Sequence, residues 1–220
     1  MRQTAVMPVV GFLHTASVHE GTFAGLVREA DAAVTVVSVV DSSLLDRARR
    51  TGPDDRVVRA DVRRRLIELS DAGCEQIICT CSTIGGIAED IGRALGVTVM
   101  RVDRPMVEVA VELGGPILVL AALQSTLAPT LDLIDAVAGA SGAGADLDVR
   151  AEVVDGAWAR FEAGDLDGYR TLVVDAIERV DDEVGVIVLA QASMAAAAAI
   201  ARTYIPVLVS PRLAVERVLS

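Results

Sequence analysis

Three cysteines, Cys74, Cys79 and Cys81, lie within eight positions of a 220-residue chain. Cys81 follows a short apolar run and precedes a helical pattern, so we expect it where a strand becomes a helix. The helix dipole at that position lowers the pKa of a thiol from about 8.5 toward neutrality. Cys81 could therefore act as a base or a nucleophile, whereas Cys74 and Cys79 are interpreted as small buried apolar residues. A metal site is not predicted, because Cys79-x-Cys81 has no second ligand pair elsewhere in the chain.

Four predicted strand ends carry polar side chains, and each is followed by a helical pattern. The segments are HTAS at 14–17, CST at 81–83, QST at 124–126 and QAS at 191–193. Ligands of open parallel sheets bind outside the carboxyl ends of strands, where helix N–H groups can hold a carboxylate or phosphate. Simple helix capping by Ser and Thr is the alternative. His14 could serve as acid, base or carboxylate partner, whereas His19 is expected in a surface loop.

Short β-branched runs alternate with longer helical patterns along the whole chain. The predicted strands are 6–13, 34–40, 76–80, 97–102, 116–120, 147–154, 184–189 and 205–209. The predicted helices are 22–30, 60–72, 86–95, 104–112, 129–137, 169–182, 193–201 and 212–219. Strands joined by helix-length connections pair in parallel through right-handed crossovers, which predicts an α/β protein.

The two halves of the chain resemble one another. Residues 78–85 align with 188–195 at an offset of 110, which pairs Cys81 with Gln191, and residues 9–15 align with 119–125 at the same offset. Two four-stranded, mostly parallel half-domains related by a pseudo-two-fold axis follow, although apolar strands also resemble each other by chance. The predicted boundaries are 1–103 with 210–220, and 104–209, with the active site in the cleft between them. Residues 138–144 (AGASGAG) are predicted to form a flexible loop.

Composition and charge limit the classes of partner that this chain is expected to bind. The net charge is −11, and the basic run at 63–65 has no aromatic neighbours, so nucleic acid is not expected and the run is interpreted as a solvated helix face. No apolar stretch reaches the length of a membrane helix and the N-terminus lacks signal-peptide features, which predicts a cytoplasmic protein with free thiols. Neither glycine-rich phosphate-binding motif follows the first strand. A symmetric homo-oligomer is the default expectation.

Residues 77–83 (IICTCST) and 186–194 (VIVLAQASM) resemble the two catalytic cysteine segments of the aspartate/glutamate/hydantoin racemase superfamily, which includes arylmalonate decarboxylase and maleate isomerase. Residues 11–15 (GFLHT) and 120–126 (LAALQST) resemble its substrate-binding loops. The resemblance implies two Rossmann-like half-domains and cofactor-independent chemistry on a small carboxylate or dicarboxylate. Racemases of the family use one cysteine on each face of the substrate. Here Gln191 takes the second position, and glutamine cannot transfer a proton.

The leading hypothesis is therefore a one-thiol isomerase or lyase acting at carbon next to a carboxylate. It has Cys81 as acid, base or nucleophile, with Gln191 and His14 as further catalytic candidates. The substrate-binding candidates are Thr15, Ser82, Thr83, Ser125, Thr126, Ala192 and Ser193. A degenerate carboxylate-binding protein and a cysteine hydrolase, which would need His14 beside Cys81, are the alternatives. Asp41 could orient His14 or cap a helix, and Arg212 could clamp a carboxylate or lie on the surface.

Overall fold

The computed structural model describes residues 8–142 and 147–220. Its strands are β1 (Val9–His14), β2 (Thr35–Val40), β3 (Gln76–Cys79), β4 (Thr98–Arg101), β5 (Ile117–Ala121), β6 (Val149–Val153), β7 (Val186–Leu189) and β8 (Val207–Val209). Its α-helices are α1 (Val18–Ala30), α2 (Ser42–Thr51), α3 (Arg56–Asp71), α4 (Ser82–Leu95), α5 (Arg104–Leu113), α6 (Gln124–Ser141), α7 (Ala157–Glu162), α8 (Leu166–Glu178), α9 (Ala195–Ala198) and α10 (Ser210–Leu219). A 3₁₀ turn, Ala192–Met194, precedes α9.

The strands form two separate four-stranded sheets. The order is β2-β1-β3-β4 in the first and β6-β5-β7-β8 in the second, and every neighbouring pair is parallel. The chain divides into two compact units, one formed by residues up to Val102 with Val215–Ser220 and the other by Asp103–Ala214. The predicted α/β architecture of two parallel sheets with flanking helices is confirmed. The predicted domain boundaries, and an active site between the halves, stay predictions.

The sheet of the second unit is covered on both faces, which explains why its strands are continuously apolar. Leu118, Leu120 and Leu189 pack with the buried side of α8, including Val173 and Ile177. The alternate residues of the same strands pack with α5 and α6; they include Ile117, Val119, Val186 and Val188. Within strands buried on both sides, the polar residues at the ends are therefore the ones that need a functional or capping explanation.

Three local predictions differ from the structure. Helices α2 and α7 were not predicted; α7 has only six residues, too few to show an apolar period, whereas the ten residues of α2 do have one apolar side, formed by Leu44, Leu45 and Ala48. Helix α6 begins at Gln124 and runs to Ser141, so most of the loop predicted at 138–144 is the last turn of a helix, closed by Gly142 in the left-handed conformation. Residues 143 and 144, like residues 6 and 7 of the first predicted strand, lie outside the described residues.

Strand register corrects the internal alignment. Leu13 pairs with Cys79 in the first sheet and Leu120 with Leu189 in the second. The offset is therefore 110 between β3 and β7 (189 minus 79) but 107 between β1 and β5 (120 minus 13). Cys81 keeps Gln191 as its counterpart. Thr15 corresponds to Ala122, three residues earlier than the alignment of apolar runs suggested.

None of the helices in the described part of the chain is long and apolar enough to cross a membrane.

Candidate active site

Cys81 is the residue at which β3 gives way to α4. The strand ends at Cys79, and Cys81 is the N-cap of a 14-residue helix with extended backbone angles (φ −113°, ψ 110°). Its side chain is 7% exposed. The predicted placement of this thiol between strand and helix is what the structure shows.

Opposing effects act on the thiol. Burial raises the pKa of Cys81 above its ordinary value, while the hydroxyl of Thr15 and the backbone N–H groups of Ile84 and Thr83 favour the thiolate. The Thr83 hydroxyl adds a further, smaller stabilisation of the charged form. Burial is the largest of these effects. The pKa of Cys81 is thus shifted upward, which is opposite to the direction predicted from the helix dipole alone.

Three of the predicted substrate-binding residues surround this sulfur. Thr15 follows β1 and hydrogen-bonds Cys81 with its hydroxyl, while Ser82 and Thr83 open the first turn of α4. All three side chains are buried, with exposures of 7%, 4% and 3%. The structure therefore brings the predicted GFLHT and CST segments together at one edge of the first sheet, and hydroxyl and N–H donors converge there.

Cys79 and Cys74 are buried, as predicted. The Cys79 thiol donates to the carbonyl of Cys81 at 3.8 Å. Cys74 packs against Gly11, where a Cβ would lie only 2.9 Å from its sulfur. Gly11 thus permits the close packing of Cys74 beneath β1. Burial raises the pKa of Cys74.

His14 is fully buried, and both of its ring nitrogens are engaged by hydroxyl groups. Nδ1 lies 2.8 Å from the Thr80 hydroxyl oxygen and Nε2 lies 3.4 Å from that of Ser38. Because the Thr80 hydroxyl donates to the carbonyl of Leu13 (3.2 Å), its oxygen accepts from Nδ1–H, and the Ser38 hydroxyl donates to Nε2. Burial, and secondarily the nearby His19, lower the pKa of His14 to about 4. A neutral imidazole therefore ties the ends of β1, β2 and β3 together.

His19 was predicted to lie in a surface loop, but it does not. It lies in the first turn of α1, with its ring 6.4 Å from that of His14 and 6.2 Å from that of Phe23. Burial lowers its pKa to about 4. The loop prediction was wrong because α1 begins at Val18, four residues before the helical pattern became visible in the sequence.

Gln191 lies directly before the 3₁₀ turn that follows β7, in the position equivalent to Cys81. Its Oε1 accepts the backbone N–H of Ala122 at 2.7 Å, and its Nε2 donates to the Thr126 hydroxyl at 3.2 Å. Ala122 is the counterpart of Thr15. The second unit therefore repeats the Thr15–Cys81 contact with an amide and a backbone N–H in place of a thiol and a hydroxyl.

The remaining substrate-binding candidates lie near Gln191 in the second unit. Ser125 and Thr126 are in the first turn of α6, and Ala192 and Ser193 form the 3₁₀ turn. The Ser193 hydroxyl is 2.8 Å from that of Tyr169, whose pKa burial raises to about 12. The Ser125 hydroxyl is buried without a hydrogen-bond partner among the described residues.

Asp41 caps a helix and Arg212 is exposed, which are the alternatives to functional roles for these two residues. Asp41 is the N-cap of α2, accepting from the N–H of Ser43 (3.2 Å) and from Arg65 Nε (3.0 Å), which is the capping role. Burial alone would raise the pKa of Asp41, but the Ser43 and Arg65 interactions outweigh it and lower the pKa. Arg212 is exposed in the first turn of α10. In the basic run, Arg63 and Arg64 are exposed, Arg64 pairs with Asp61 at 2.9 Å, and Arg65 also pairs with Glu68 at 2.9 Å.

Sequence reasoning missed three residues that shape these sites: Arg101, Tyr169 and Ser38. Arg101 ends β4 and is 4% exposed, a burial that hydropathy cannot predict for an arginine. Ser38 could have been found from strand alternation. Ser38 pairs with Phe12 and Val40 pairs with His14, so Ser38 and His14 lie on the same face of the sheet.

Comparison with known proteins supplies the family. The sequence model of the family described as Asp/Glu/Hydantoin racemase matches residues 4–218. The chain belongs to this family. The family resemblance inferred from the sequence is thereby confirmed. No curated protein matches the chain at a significant level.

Solved structures of racemases share the fold. Glutamate racemase from Thermus thermophilus, in complex with β-chloro-D-alanine, is 19% identical with a TM-score of 0.65, covering 97% of this chain and 79% of that one. Aspartate racemase from Picrophilus torridus is 16% identical with a TM-score of 0.65, covering 93% and 89%. Allantoin racemase from Pseudomonas fluorescens is 19% identical with a TM-score of 0.65, covering 96% and 88%. At these identities the likeness establishes the two-unit α/β fold.

Proposed function

We propose that this family member is a cofactor-independent enzyme acting at the carbon next to a carboxylate of a small acid, with Cys81 as its reacting thiol. The observation that carries the proposal is the convergence on Cys81 of the Thr15 hydroxyl with the N–H groups of Thr83 and Ile84. The same donors can stabilise a thiolate and the oxygen of an enediolate, which is the charge that develops in such reactions. The racemases in the comparison act on glutamate, aspartate and allantoin, and the first two are dicarboxylic acids.

The protonation state of Cys81 favours proton donation as its role. Burial raises its pKa, so the free enzyme holds the thiol form at neutral pH. In a lyase, loss of CO₂ from the substrate leaves the bonding electron pair as an enediolate, and the Cys81 thiol protonates the carbon and becomes a thiolate. The thiolate then regains a proton from water. In an isomerase the minor thiolate form first removes the α-proton, and the resulting thiol then protonates the anion at another carbon, or on its opposite face after the intermediate has turned.

Gln191 argues against a symmetrical two-base racemase. An amide neither gives nor takes a proton at ordinary pH, and both ends of this one are already hydrogen-bonded, to Ala122 and Thr126. We propose that Gln191 occupies the family's second cysteine position as a structural amide. A one-thiol isomerase or lyase then follows. The candidate substrate-binding groups near Cys81 are the hydroxyls of Thr15, Ser82 and Thr83, and those near Gln191 are the hydroxyls of Ser125, Thr126 and Ser193 and the backbone at Ala192.

A cysteine hydrolase is disfavoured by the geometry of His14. Both ring nitrogens are engaged by Thr80 and Ser38, and Cys81 receives its hydrogen bonds from Thr15 and the start of α4. A hydrolase of this kind needs a base within hydrogen-bond reach of the nucleophile.

The test is deuterium incorporation followed by NMR. The protein is incubated in D₂O with aspartate, glutamate, maleate, allantoin and a set of substituted malonates, one compound at a time. We expect one of them to acquire deuterium at the α-carbon or to lose CO₂ with deuterium replacing it. Cys81→Ser should abolish the signal, while Cys79→Ser, which removes a buried thiol two residues away, should retain it. Full turnover by folded Cys81→Ser would contradict the proposal, and ligand binding without any turnover would favour a carboxylate-binding protein.

A further inference from the structure

Arg101 is a buried charge that lies against the start of α4. It is the last residue of β4 and is 4% exposed, and arginine is rarely buried to this degree unless it is paired. A well-packed apolar side chain at such a position is often neutral or stabilising compared with a buried charge. The surroundings of Arg101 therefore need an account.

Helix α4 packs closely against the side chains of β4 through glycines. A Cβ at Gly92 would lie 2.4 Å from Val99 Cγ2, and a Cβ at Gly85 would lie 2.7 Å from Arg101 Cβ. Val99 and Arg101 alternate onto the same face of β4, and the two glycines are seven residues apart on one face of α4. This contact brings the Arg101 side chain against the first turn of the helix.

The guanidinium group extends along that turn toward its start. A Cβ at Gly86 would meet Arg101 Nη1 at 3.6 Å, and Nη2 lies 3.5 Å from the carbonyl oxygen of Ser82. The backbone N–H of Arg101 in turn donates to Glu89 Oε1 at 3.0 Å, one helical turn beyond Gly85. Arg101 thus contacts α4 at both ends of its first two turns.

We propose that Arg101 is a positioning residue: it fixes the first turn of α4 so that the N–H groups of Thr83 and Ile84 stay directed at the sulfur of Cys81. The inference rests on the proposed role of Cys81. Its consequence is that the thiolate left after proton transfer keeps its stabilising donors inside a buried environment that otherwise penalises charge.

The test compares three substitutions by the rate at which iodoacetamide alkylates Cys81 at a fixed pH below the pKa of Cys81. Arg101→Met keeps the length of the side chain and removes the contact with Ser82, while Arg101→Lys keeps the charge. Arg93→Met is the matched control, because Arg93 is an exposed arginine on the same helix, with its side chain 76% exposed. Hydrogen exchange of the Thr83 and Ile84 amides provides a second readout that does not depend on the thiol.

We expect Arg101→Met to slow alkylation about tenfold, equivalent to a pKa rise of about one unit, with Arg101→Lys in between and Arg93→Met unchanged. The Thr83 and Ile84 amides should exchange faster in Arg101→Met alone. If Arg101→Met does not fold, the alkylation rates of Arg101→Lys and Arg93→Met decide the question, and we expect the rate of Arg101→Lys to be the lower of the two. Unchanged alkylation and exchange in a folded Arg101 variant would overturn the inference. An unreactive Cys81 in the wild-type protein would instead count against the proposed function, and hydrogen exchange would still test Arg101.

Discussion

The buried His14 makes the stability of the first unit depend on pH in a calculable way. Its pKa falls from 6.5 to about 4 on folding, so between these values the unfolded chain binds a proton that the folded protein does not. Stability is therefore fully present above the unfolded pKa and is lost as the pH falls toward 4. For this one residue the loss is about 2 kcal/mol at about pH 5 and about 3 kcal/mol at about pH 4.

Replacement of His14 by asparagine isolates this effect. The asparagine amide can still donate to Thr80, as Nδ1–H does in the wild type, but it does not titrate. We expect His14→Asn to be less stable at neutral pH because the smaller side chain leaves a cavity. Its further loss of stability between about pH 7 and pH 5 should nevertheless be about 2 kcal/mol smaller than that of the wild type.

Urea unfolding at a series of pH values measures both numbers, and His19→Asn is the companion variant. His19 also has a pKa of about 4, so its removal should flatten the pH dependence in the same direction. If His14→Asn and the wild type lose stability in parallel as the pH falls, then His14 is not buried in its neutral form and the assignment of its hydrogen bonds is wrong.

Three further predictions concern single contacts. Thr15→Val removes the hydroxyl that favours the thiolate of Cys81, so the alkylation rate at fixed pH should fall severalfold, with circular dichroism unchanged; an unaltered rate would exclude the contact. Gln191→Leu leaves a buried N–H without its acceptor and should cost about 1–3 kcal/mol in urea unfolding, whereas Gln191→Glu should cost less near neutral pH because it keeps an acceptor oxygen. Asp41→Ala removes the cap of α2 and a partner of Arg65, and should lower the free energy of unfolding by about 1 kcal/mol. Folding lowers the pKa of Asp41, so the difference in stability from the wild type should vanish as the pH falls through that lowered pKa.

The fold was accessible from the sequence because strands buried on both faces, such as β5 and β7, give continuous apolar runs. β3 and β7 illustrate the point, since their positions and their offset of 110 were predicted within one or two residues. The offset between β1 and β5 was wrong by three residues. Continuous apolar strands carry little information about register, and only the hydrogen-bonded pairing with β3 and β7 determines it.

The site could be predicted to the level of which segments meet. The sequence placed Cys81 at the start of a helix and Thr15 at the end of another strand, and parallel topology brings such ends to one edge. The balance between burial and hydrogen bonding at the sulfur was not predictable, because burial depends on packing around Cys81 that no local pattern encodes. The same holds for Arg101, whose position follows from Gly85 and Gly92 facing β4.

The orientation of His14 was within reach of sequence reasoning. Residues two apart on a strand share a face of the sheet. His14 therefore lies on the same face as Phe12, and Thr15 lies on the same face as Leu13. Pairing of Leu13 with Cys79 then places Thr15 beside Cys81 and His14 beside Thr80. An acid or base role for His14 toward Cys81 would have required both side chains to lie on the same face of the sheet.

The most direct test of the central claim is the alkylation of Cys81 by iodoacetamide as a function of pH, quantified by mass spectrometry alongside Cys79 and Cys74. It is run with and without malonate, aspartate and maleate. The account predicts that Cys81 is labelled fastest, that its rate rises through a pKa above the ordinary thiol value, and that one of the acids protects it about tenfold, which corresponds to about 1.4 kcal/mol of binding at the acid concentration used. Labelling of Cys81 no faster than that of Cys79, with no protection by any acid, would contradict the assignment of Cys81 as the reacting group.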